Sequence, residues 1–344
     1  MKFIRALFFP FSVLYGWLMQ ARNRQFDNGQ RSQTAFDRTI ISVGNLSTGG
    51  TGKTPMIEFL IKSLKDEYRL ATISRGYGRR TKGFIMASDA DDAKSIGDEP
   101  LQFYHKFGQD ITVSVCEERI LAVPSVLMEK DDVEVFLLDD AYQHRKVARD
   151  HNILLSDYQH PFYQDFVLPA GNLREPRIGA KRADAIVITK CPELGEQEKE
   201  VVISNVRKYN DISPIYFSHI AYQDVRSVFG KASIPREIAL LTGVAKAQPI
   251  AKHLSKSYLI LKHLEYADHY NFRSSDLDEM TKVLAKIDVT AMVTTEKDMV
   301  RLLPFKSHPM FEKIDLFYLP IEFRMDREDD FLSDVIKVIQ RGKR

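Results

Sequence analysis

The chain has 344 residues, enough for one large domain or two ordinary ones, and two is the expectation. With 44% hydrophobic and 28% charged residues it is neither disordered nor fibrous, and 49 basic against 47 acidic residues leave a net charge of +2, which gives no argument for nucleic acid as a partner. Any basic patch is therefore local. Cys116 and Cys191 lie far apart without a CxxC spacing, which excludes a disulfide-stapled scaffold and fits a reducing compartment.

The chain opens on an apolar run, residues 6–19, interrupted by Pro10, Ser12 and Gly16 and flanked by Lys2, Arg5, Arg22 and Arg24. The run is too short to span a bilayer. A signal peptide is disfavoured because Gln20-Ala21-Arg22-Asn23 offers no small-residue cleavage site. Two readings remain, a helix lying in the membrane interface and an ordinary core helix. The interfacial helix is the one expected, with Tyr15 and Trp17 at headgroup depth and the arginines toward anionic lipid. Residues 25–38 are polar and read as a connector.

Beyond them, short apolar runs rich in β-branched residues at 39–43, 70–73, 111–115, 133–138, 153–155 and 185–189 alternate with helical patterns. That alternation predicts a parallel sheet built from strand-helix-strand units. After the charged stretch 193–200, further runs at 215–218, 238–241, 258–261, 291–294 and 316–319 predict a second, smaller α/β domain.

Between the first strand and a helix whose Met56, Phe59, Leu60 and Leu64 share one face stands Ser47-Thr48-Gly49-Gly50-Thr51-Gly52-Lys53-Thr54. Pro55 is acceptable in that helix's first turn. This is the context of a phosphate loop. Its glycines let backbone N–H groups point at the β- and γ-phosphates of a nucleoside triphosphate, Lys53 adds a point charge, and the Thr54 hydroxyl is placed to ligate Mg2+. Ser47 stands where the first glycine is expected. The predicted organisation is an N-terminal amphipathic helix (1–24), a P-loop NTPase-type domain with helices on both faces of its parallel sheet (25–212) and the smaller α/β domain (213–344), with the boundary near Ser213-Pro214.

Phosphate-loop enzymes fix their metal with a carboxylate at a neighbouring strand end, and the run at 133–138 leads into Asp139-Asp140, followed by Ala141-Tyr142-Gln143-His144-Arg145. Other strand ends point to the same rim, where ligands bind in open parallel sheets. Ser74-Arg75-Gly76-Tyr77-Gly78-Arg79 could grip a second phosphate or be a solvated basic turn. On spacing alone Gly97-Asp98-Glu99-Pro100 is a helix N-terminus, and Gly171-Asn172-Leu173-Arg174-Glu175-Pro176 decides nothing by itself.

Taken in order with Gly44-Asn45-Leu46, these segments resemble the tetraacyldisaccharide 4'-kinase family of lipid A biosynthesis. Thr242-Gly243-Val244-Ala245, Ala267-Asp268-His269-Tyr270 and Thr294-Thr295-Glu296-Lys297-Asp298 continue the likeness to about residue 300. The resemblance implies transfer of the γ-phosphate of ATP to the 4'-hydroxyl of an acylated disaccharide 1-phosphate, at the cytoplasmic face of the inner membrane of Gram-negative bacteria. It implies ATP and Mg2+ as cofactors, a membrane-docking role for the N-terminal helix, and no protein partner. By position it makes Asp98 the group that accepts or orients the hydroxyl proton, assisted by His269 and, at the phosphate, Lys53. Thr54, Asp139 and Glu175 would form the metal environment. Arg75, Tyr77, Arg119 and Arg174 would meet the acceptor, and Asp140, Gln143 and His144 would line the same rim. Ala141, Tyr142, Ala267 and Tyr270 depart from the family's commoner residues without removing a proposed catalytic group. The role of the Thr294–Asp298 segment stays open, with hinge and nucleotide contact as the alternatives.

A rival of another class is a membrane-associated P-loop ATPase switch. The loop lacks the extra lysine near its start that membrane-partitioning ATPases use, and no Asn/Thr-Lys-x-Asp guanine signature occurs. An ATP-dependent ligase or small-metabolite kinase would leave the apolar N-terminus unexplained.

Overall fold

The computed structural model describes residues 8–230, 233–244, 246–268 and 270–342, so the start of the apolar run and His269 lie outside the described residues. Two sheets organise the chain. The larger contains β1 (Thr39–Asn45), β2 (Leu70–Ser74), β3 (Ile85–Met86), β4 (Thr112–Val115), β5 (Val135–Asp139), β6 (His151–Asp157), β7 (Ala185–Thr189), β8 (Ile215–Tyr222) and β14 (Ile321–Met325), in the order β14-β8-β7-β6-β1-β5-β2-β4-β3. Strands β8 to β4 in that order are mutually parallel, and β14 and β3 are antiparallel edges.

β1, β2, β5, β6 and β7 are buried at every position, as strands covered on both faces must be. Alternate residues serve opposite layers. Ile41, Val43, Val135 and Leu137 pack with the helices Lys53–Leu64, Asp98–Phe107 and Glu328–Gly342. Ile40, Phe136 and Leu138 pack with the helix Arg119–Glu129, and Ile186 and Ile188 with the helix Glu196–Arg207. The helix face expected from Met56, Phe59, Leu60 and Leu64 is buried as a unit.

The smaller sheet contains β9 (Arg226–Ser227), β10 (Glu237–Thr242), β11 (Leu259–Glu265), β12 (Ala291–Thr295) and β13 (Asp315–Leu319), in the order β11-β10-β12-β13-β9. The boundary expected at residue 213 is corrected by this topology. β8 pairs with β7 from Ile186↔Ile215 to Ile188↔Phe217 and so belongs to the larger sheet. The chain then leaves to build the smaller sheet and returns as β14, which pairs with β8 from Ile321↔Tyr222 to Met325↔Ser218. The last helix buries Phe331, Val335 and Ile339 against the first domain's core. The second sheet is thus an insertion between β8 and β14.

The N-terminal helix Phe9–Asp27 shows an inverted pattern. Its inward side is mostly small or polar, with Ser12, Gly16 and Asn23 buried together with Phe26, while Phe11, Val13, Leu14, Trp17 and Leu18 are exposed. Ser12 Oγ accepts from Ala170 N at 2.8 Å, the Tyr15 hydroxyl donates to Arg174 O at 3.1 Å and Asn23 Nδ2 donates to Glu175 Oε2 at 2.6 Å. Phe9 and Phe166, 5.7 Å apart edge to face, extend the apolar surface beyond the helix. A helix built for a core would present the reverse pattern. Among the described residues no helix is long and apolar enough to cross a membrane.

Close approach rather than torsion fixes Gly44 on β1, because a β-carbon there would stand 2.8 Å from the backbone nitrogen of Tyr142 and 2.7 Å from its Cβ. Tyr142 cannot retreat, being buried, with its hydroxyl donating to Gly179 O at 2.7 Å. Gly44→Ala should therefore lower stability by about 1–3 kcal/mol, the usual range for overpacking, read as a lower urea midpoint at unchanged slope.

Candidate active site

The carboxyl ends of β1, β5, β2 and β7 meet on one rim, and the phosphate loop rises from the first of them. Gly49 (φ 108°) and Gly52 (φ 88°) supply the left-handed turns. Ser47 forms a bridge with Leu173 instead, so the first-glycine position holds extended backbone that a serine adopts without strain. Thr48 N donates to Asn172 O at 2.7 Å and Arg174 N to Leu46 O at 2.7 Å, which makes the 171–176 segment a brace for the loop. On the other side the Thr189 hydroxyl donates to Thr51 O at 2.8 Å, and Lys190 Nζ donates to Gly50 O while pairing with Asp157 at 2.9 Å. Asn45 Nδ2 holds Thr51 Oγ1 at 2.8 Å from within.

Lys53 Nζ lies 3.7 Å from Asp140 Oδ1, and Asp140 is forked by Arg174 at 2.9 and 3.1 Å. Beside it Asp139 is buried at the end of β5. Its Oδ2 accepts a 3.3 Å hydrogen bond from Ser74, and its Oδ1 has no partner among the described residues. The Thr54 hydroxyl donates to Glu99 Oε1 at 2.9 Å, and the same oxygen takes Lys297 Nζ at 2.8 Å.

These carboxylates have opposite electrostatics. Burial, joined by the negative fields of Glu99 and Asp140 and only partly offset by Lys53 and Arg119, pushes Asp139 up to about 7. Burial would also raise Glu99, but the Lys297 ion pair and hydrogen bond, with Lys53 and the Thr54 hydroxyl, hold it down at about 2. Asp98, in the first turn of the helix Asp98–Phe107, receives Arg301 Nε and Nη2 on Oδ2 at 2.9 and 2.7 Å.

Several sequence expectations change here. Glu175, expected at the metal, is instead buried in a polar framework: both oxygens accept from Arg182 at 2.9 Å, Oε1 also from Gln143 at 3.0 Å and Oε2 from Asn23 at 2.6 Å. With each oxygen already taking two donors it has little left for a cation. Arg119, expected to meet the acceptor, is turned under the rim, where Nη1 donates to Cys116 O at 2.7 Å and Nη2 to Asp139 O at 3.2 Å, and burial lowers it to about 10. Arg174 is spent on Asp140, and Gln143 Nε2 on Asn45 O at 2.9 Å as well as on Glu175.

Arg75 and Tyr77 do project at the rim, Tyr77 with 73% of its surface exposed. His144 stands near them, and burial with the Arg119 and Arg75 cations pushes its imidazole down to about 4, so it is neutral at pH 7. Arg22, read from sequence as a contact to lipid, turns inward and donates to Gln143 O at 3.2 Å. Glu99, Lys297 and Arg301 were missed as site residues. The signals available were Glu99's place beside Asp98 and the open role of the segment that holds Lys297; that Lys297 and Arg301 reach the site from the other domain only the fold reveals.

A family model for tetraacyldisaccharide-1-P 4'-kinase matches residues 4–340. The chain belongs to that family. It is 42% identical to the tetraacyldisaccharide 4'-kinase of Flavobacterium johnsoniae, over 99% of both chains, and 38% identical to that of Cytophaga hutchinsonii, over 100% of this chain and 99% of the relative. It is also similar to the solved "apo" form LpxK of Aquifex aeolicus in complex with ATP, at 28% identity and a TM-score of 0.76, covering 98% of this chain and 99% of that one. The phosphate loop, the Asp139 strand end and the Asp98-Glu99 helix start are thus elements of a family member spanning its relatives' full length.

The raised Asp139 carboxyl has a signed consequence. In the unfolded chain it ionises near the ordinary aspartate value of about 4, while the folded chain keeps the proton to about 7. The stability this group contributes is full below about pH 4 and is lost as pH rises through about 7. Asp139→Asn, which does not titrate, should therefore gain stability on the parent between those pH values and hold a constant lead above them, measured by urea unfolding from pH 4.5 to 8.5. Parallel curves for the two proteins would refute the assignment.

Proposed function

We propose that the protein is an ATP-dependent lipid kinase that phosphorylates the 4'-hydroxyl of tetraacyldisaccharide 1-phosphate, giving lipid IVA in lipid A biosynthesis. The observation that carries this reading is the meeting at one rim of a braced phosphate loop, a buried strand-end carboxylate with an unpartnered oxygen, and the Asp98-Glu99 pair, in a chain of that family throughout its length. The ATP complex of the Aquifex relative supports ATP as the donor.

The backbone N–H groups of the loop and the N-terminus of the helix Lys53–Leu64 would receive the β- and γ-phosphates. Lys53 is well placed for the transferring group, because its 3.7 Å contact with Asp140 is long enough to yield to a phosphate oxygen. A magnesium ion fits the remaining donors: the Thr54 hydroxyl, the unpartnered Asp139 Oδ1 and Glu99, completed by phosphate oxygens and water. When bound it would neutralise charge on the phosphates. Asp98 would accept or orient the proton of the 4'-hydroxyl, with His269 as its assisting imidazole. Arg75, Tyr77 and His144 would meet the acceptor's phosphate and sugar.

The apolar outer face of the N-terminal helix supports docking at the inner-membrane surface, on the cytoplasmic side where ATP is available. Trp17→Glu with Leu14→Glu should weaken binding to phosphatidylglycerol-containing vesicles on the order of 100-fold, two buried apolar side chains being worth about 3 kcal/mol or more, without changing the melting temperature. Unchanged vesicle sedimentation would remove the docking role.

The activity test is direct: γ-labelled ATP and tetraacyldisaccharide 1-phosphate in detergent should yield labelled lipid. Asp98→Ala should lower turnover by about 10²–10⁴-fold, the usual worth of a general base, with ATP affinity unchanged. ATP hydrolysis without label in the lipid, stimulated by a protein partner, would instead mark a nucleotide switch.

A further inference from the structure

The Thr294–Asp298 segment, whose purpose the sequence leaves open, forms the joint between the two domains. β12 ends at Thr295, whose Oγ1 caps the helix Glu296–Leu302 by accepting from Asp298 N at 3.1 Å and donates to Asp298 Oδ2 at 2.7 Å. Asp298 has no exposed surface. Its Oδ2 also accepts from Gly243 N at 2.8 Å, and its Oδ1 takes Arg301 Nη1 at 2.7 Å. Nη1 further donates to Gly243 O at 3.1 Å, so the guanidinium is fixed on one side before it meets the other domain.

On that other side Nε and Nη2 converge on a single oxygen, Asp98 Oδ2, at 2.9 and 2.7 Å. The pair is enclosed, with only 3% of the Arg301 and 12% of the Asp98 side chain exposed. Neighbouring contacts join the same two helices, Lys297 to Glu99 at 2.8 Å and Glu296 to Lys106 at 2.7 Å. They hold the domains together, while Arg301 is the one of these three contacts that ends on Asp98, the carboxylate read above as handling the acceptor's proton.

We propose that Arg301, anchored by Asp298, is a positioning residue for phosphoryl transfer: its fork, closed on Oδ2, fixes the rotation of the Asp98 carboxylate and so the direction in which it meets the acceptor hydroxyl. The inference rests on the reading of Asp98 as the group that takes or orients that proton. Two charge-assisted bonds that converge on one oxygen set the plane of the carboxylate. A planar fork does this and an ammonium cannot, which makes Arg301→Lys an informative change despite its retained charge. A carboxylate misplaced by an ångström costs about 10²-fold in rate, the scale on which positioning acts. The site is thereby incomplete without the inserted domain, whose helix supplies the clamp.

The test uses the full-length enzyme with tetraacyldisaccharide 1-phosphate in detergent. Arg301→Lys should lower kcat by about 10- to 100-fold, with ATP affinity and the lipid KM within about threefold of the parent, and should add no loss when combined with Asp98→Ala. Arg301→Ala should recover turnover on addition of guanidinium at concentrations well below denaturing, and a Lys106→Ala control should not. Asp298→Asn, which keeps shape and leaves the guanidinium in place, should give a smaller kcat loss of the same kind if either arginine variant fails to fold. A parental kcat for Arg301→Lys, or an equal loss from that change in the parent and in the Asp98→Ala variant, would overturn the proposal and leave Arg301 as a domain tie. Full turnover in Asp98→Ala alone would instead remove the premise that Asp98 handles the proton.

Discussion

The constraint on which the site depends is the crowding of carboxylates against the phosphate loop. Glu99, Asp139 and Asp140 all face the region where a triphosphate would bring still more negative charge, and Asp139 is pushed up to about 7 by burial and by its acidic neighbours. The fold manages this by distributing cations from three directions. Lys53 comes from the loop, Arg174 from the brace at 171–176, and Lys297 from the inserted domain. Remove the insertion and Asp98 and Glu99 lose the strongest ion-pair partners the structure gives them, so the insertion is part of the site rather than an appendage to it. The neighbouring Lys106, shared at 2.7 Å by Glu58 and Glu296, belongs to the same arrangement and leaves each buried acid at the joint with a cation.

What the sequence made legible follows from range. The phosphate loop and the aspartate after β5 were readable because their chemistry is tied to a strand, a turn and a helix that are contiguous in the chain. The parallel sheet was readable for the same reason, since buried β-branched runs and amphipathic helices carry local signals. The assignment of β8 to the second domain failed because nothing in residues 215–222 states which strand they will pair with. Their partners are β7, across the helix Glu196–Arg207, and β14, about a hundred residues later.

Glu175 failed in a related way. An acid beside an arginine at a phosphate-loop rim suits a metal, and only the fold reveals Arg182, Gln143 and Asn23 already occupying its oxygens. Arg119 looked available from sequence because a guanidinium bonded to the carbonyls of Cys116 and Asp139 has no sequence signature. Lys297 and Arg301 could be read as a charged helical face at i, i+4 spacing, and that is how such a face ordinarily ends. Their meaning lies in Asp98 and Glu99, two hundred residues upstream.

The N-terminal helix shows the same dependence from the opposite side of the site. Nineteen residues make it about 28 Å long, and its inward side is stitched to the rim by polar contacts rather than sunk into a core. One path leads from the Tyr15 hydroxyl to the Arg174 carbonyl, from the Arg174 guanidinium to Asp140, and from Asp140 to Lys53. Another leads from Asn23 through Glu175 and Gln143 to the carbonyl of Asn45, where the phosphate loop begins. An apolar surface attached this way carries the orientation of the loop with it. If the outer face of the helix settles at the depth of lipid headgroups, the short polar links leave the rim little freedom to tilt relative to that surface. Substrate access and catalytic geometry would then depend on the same polar packing between this helix and the strand ends.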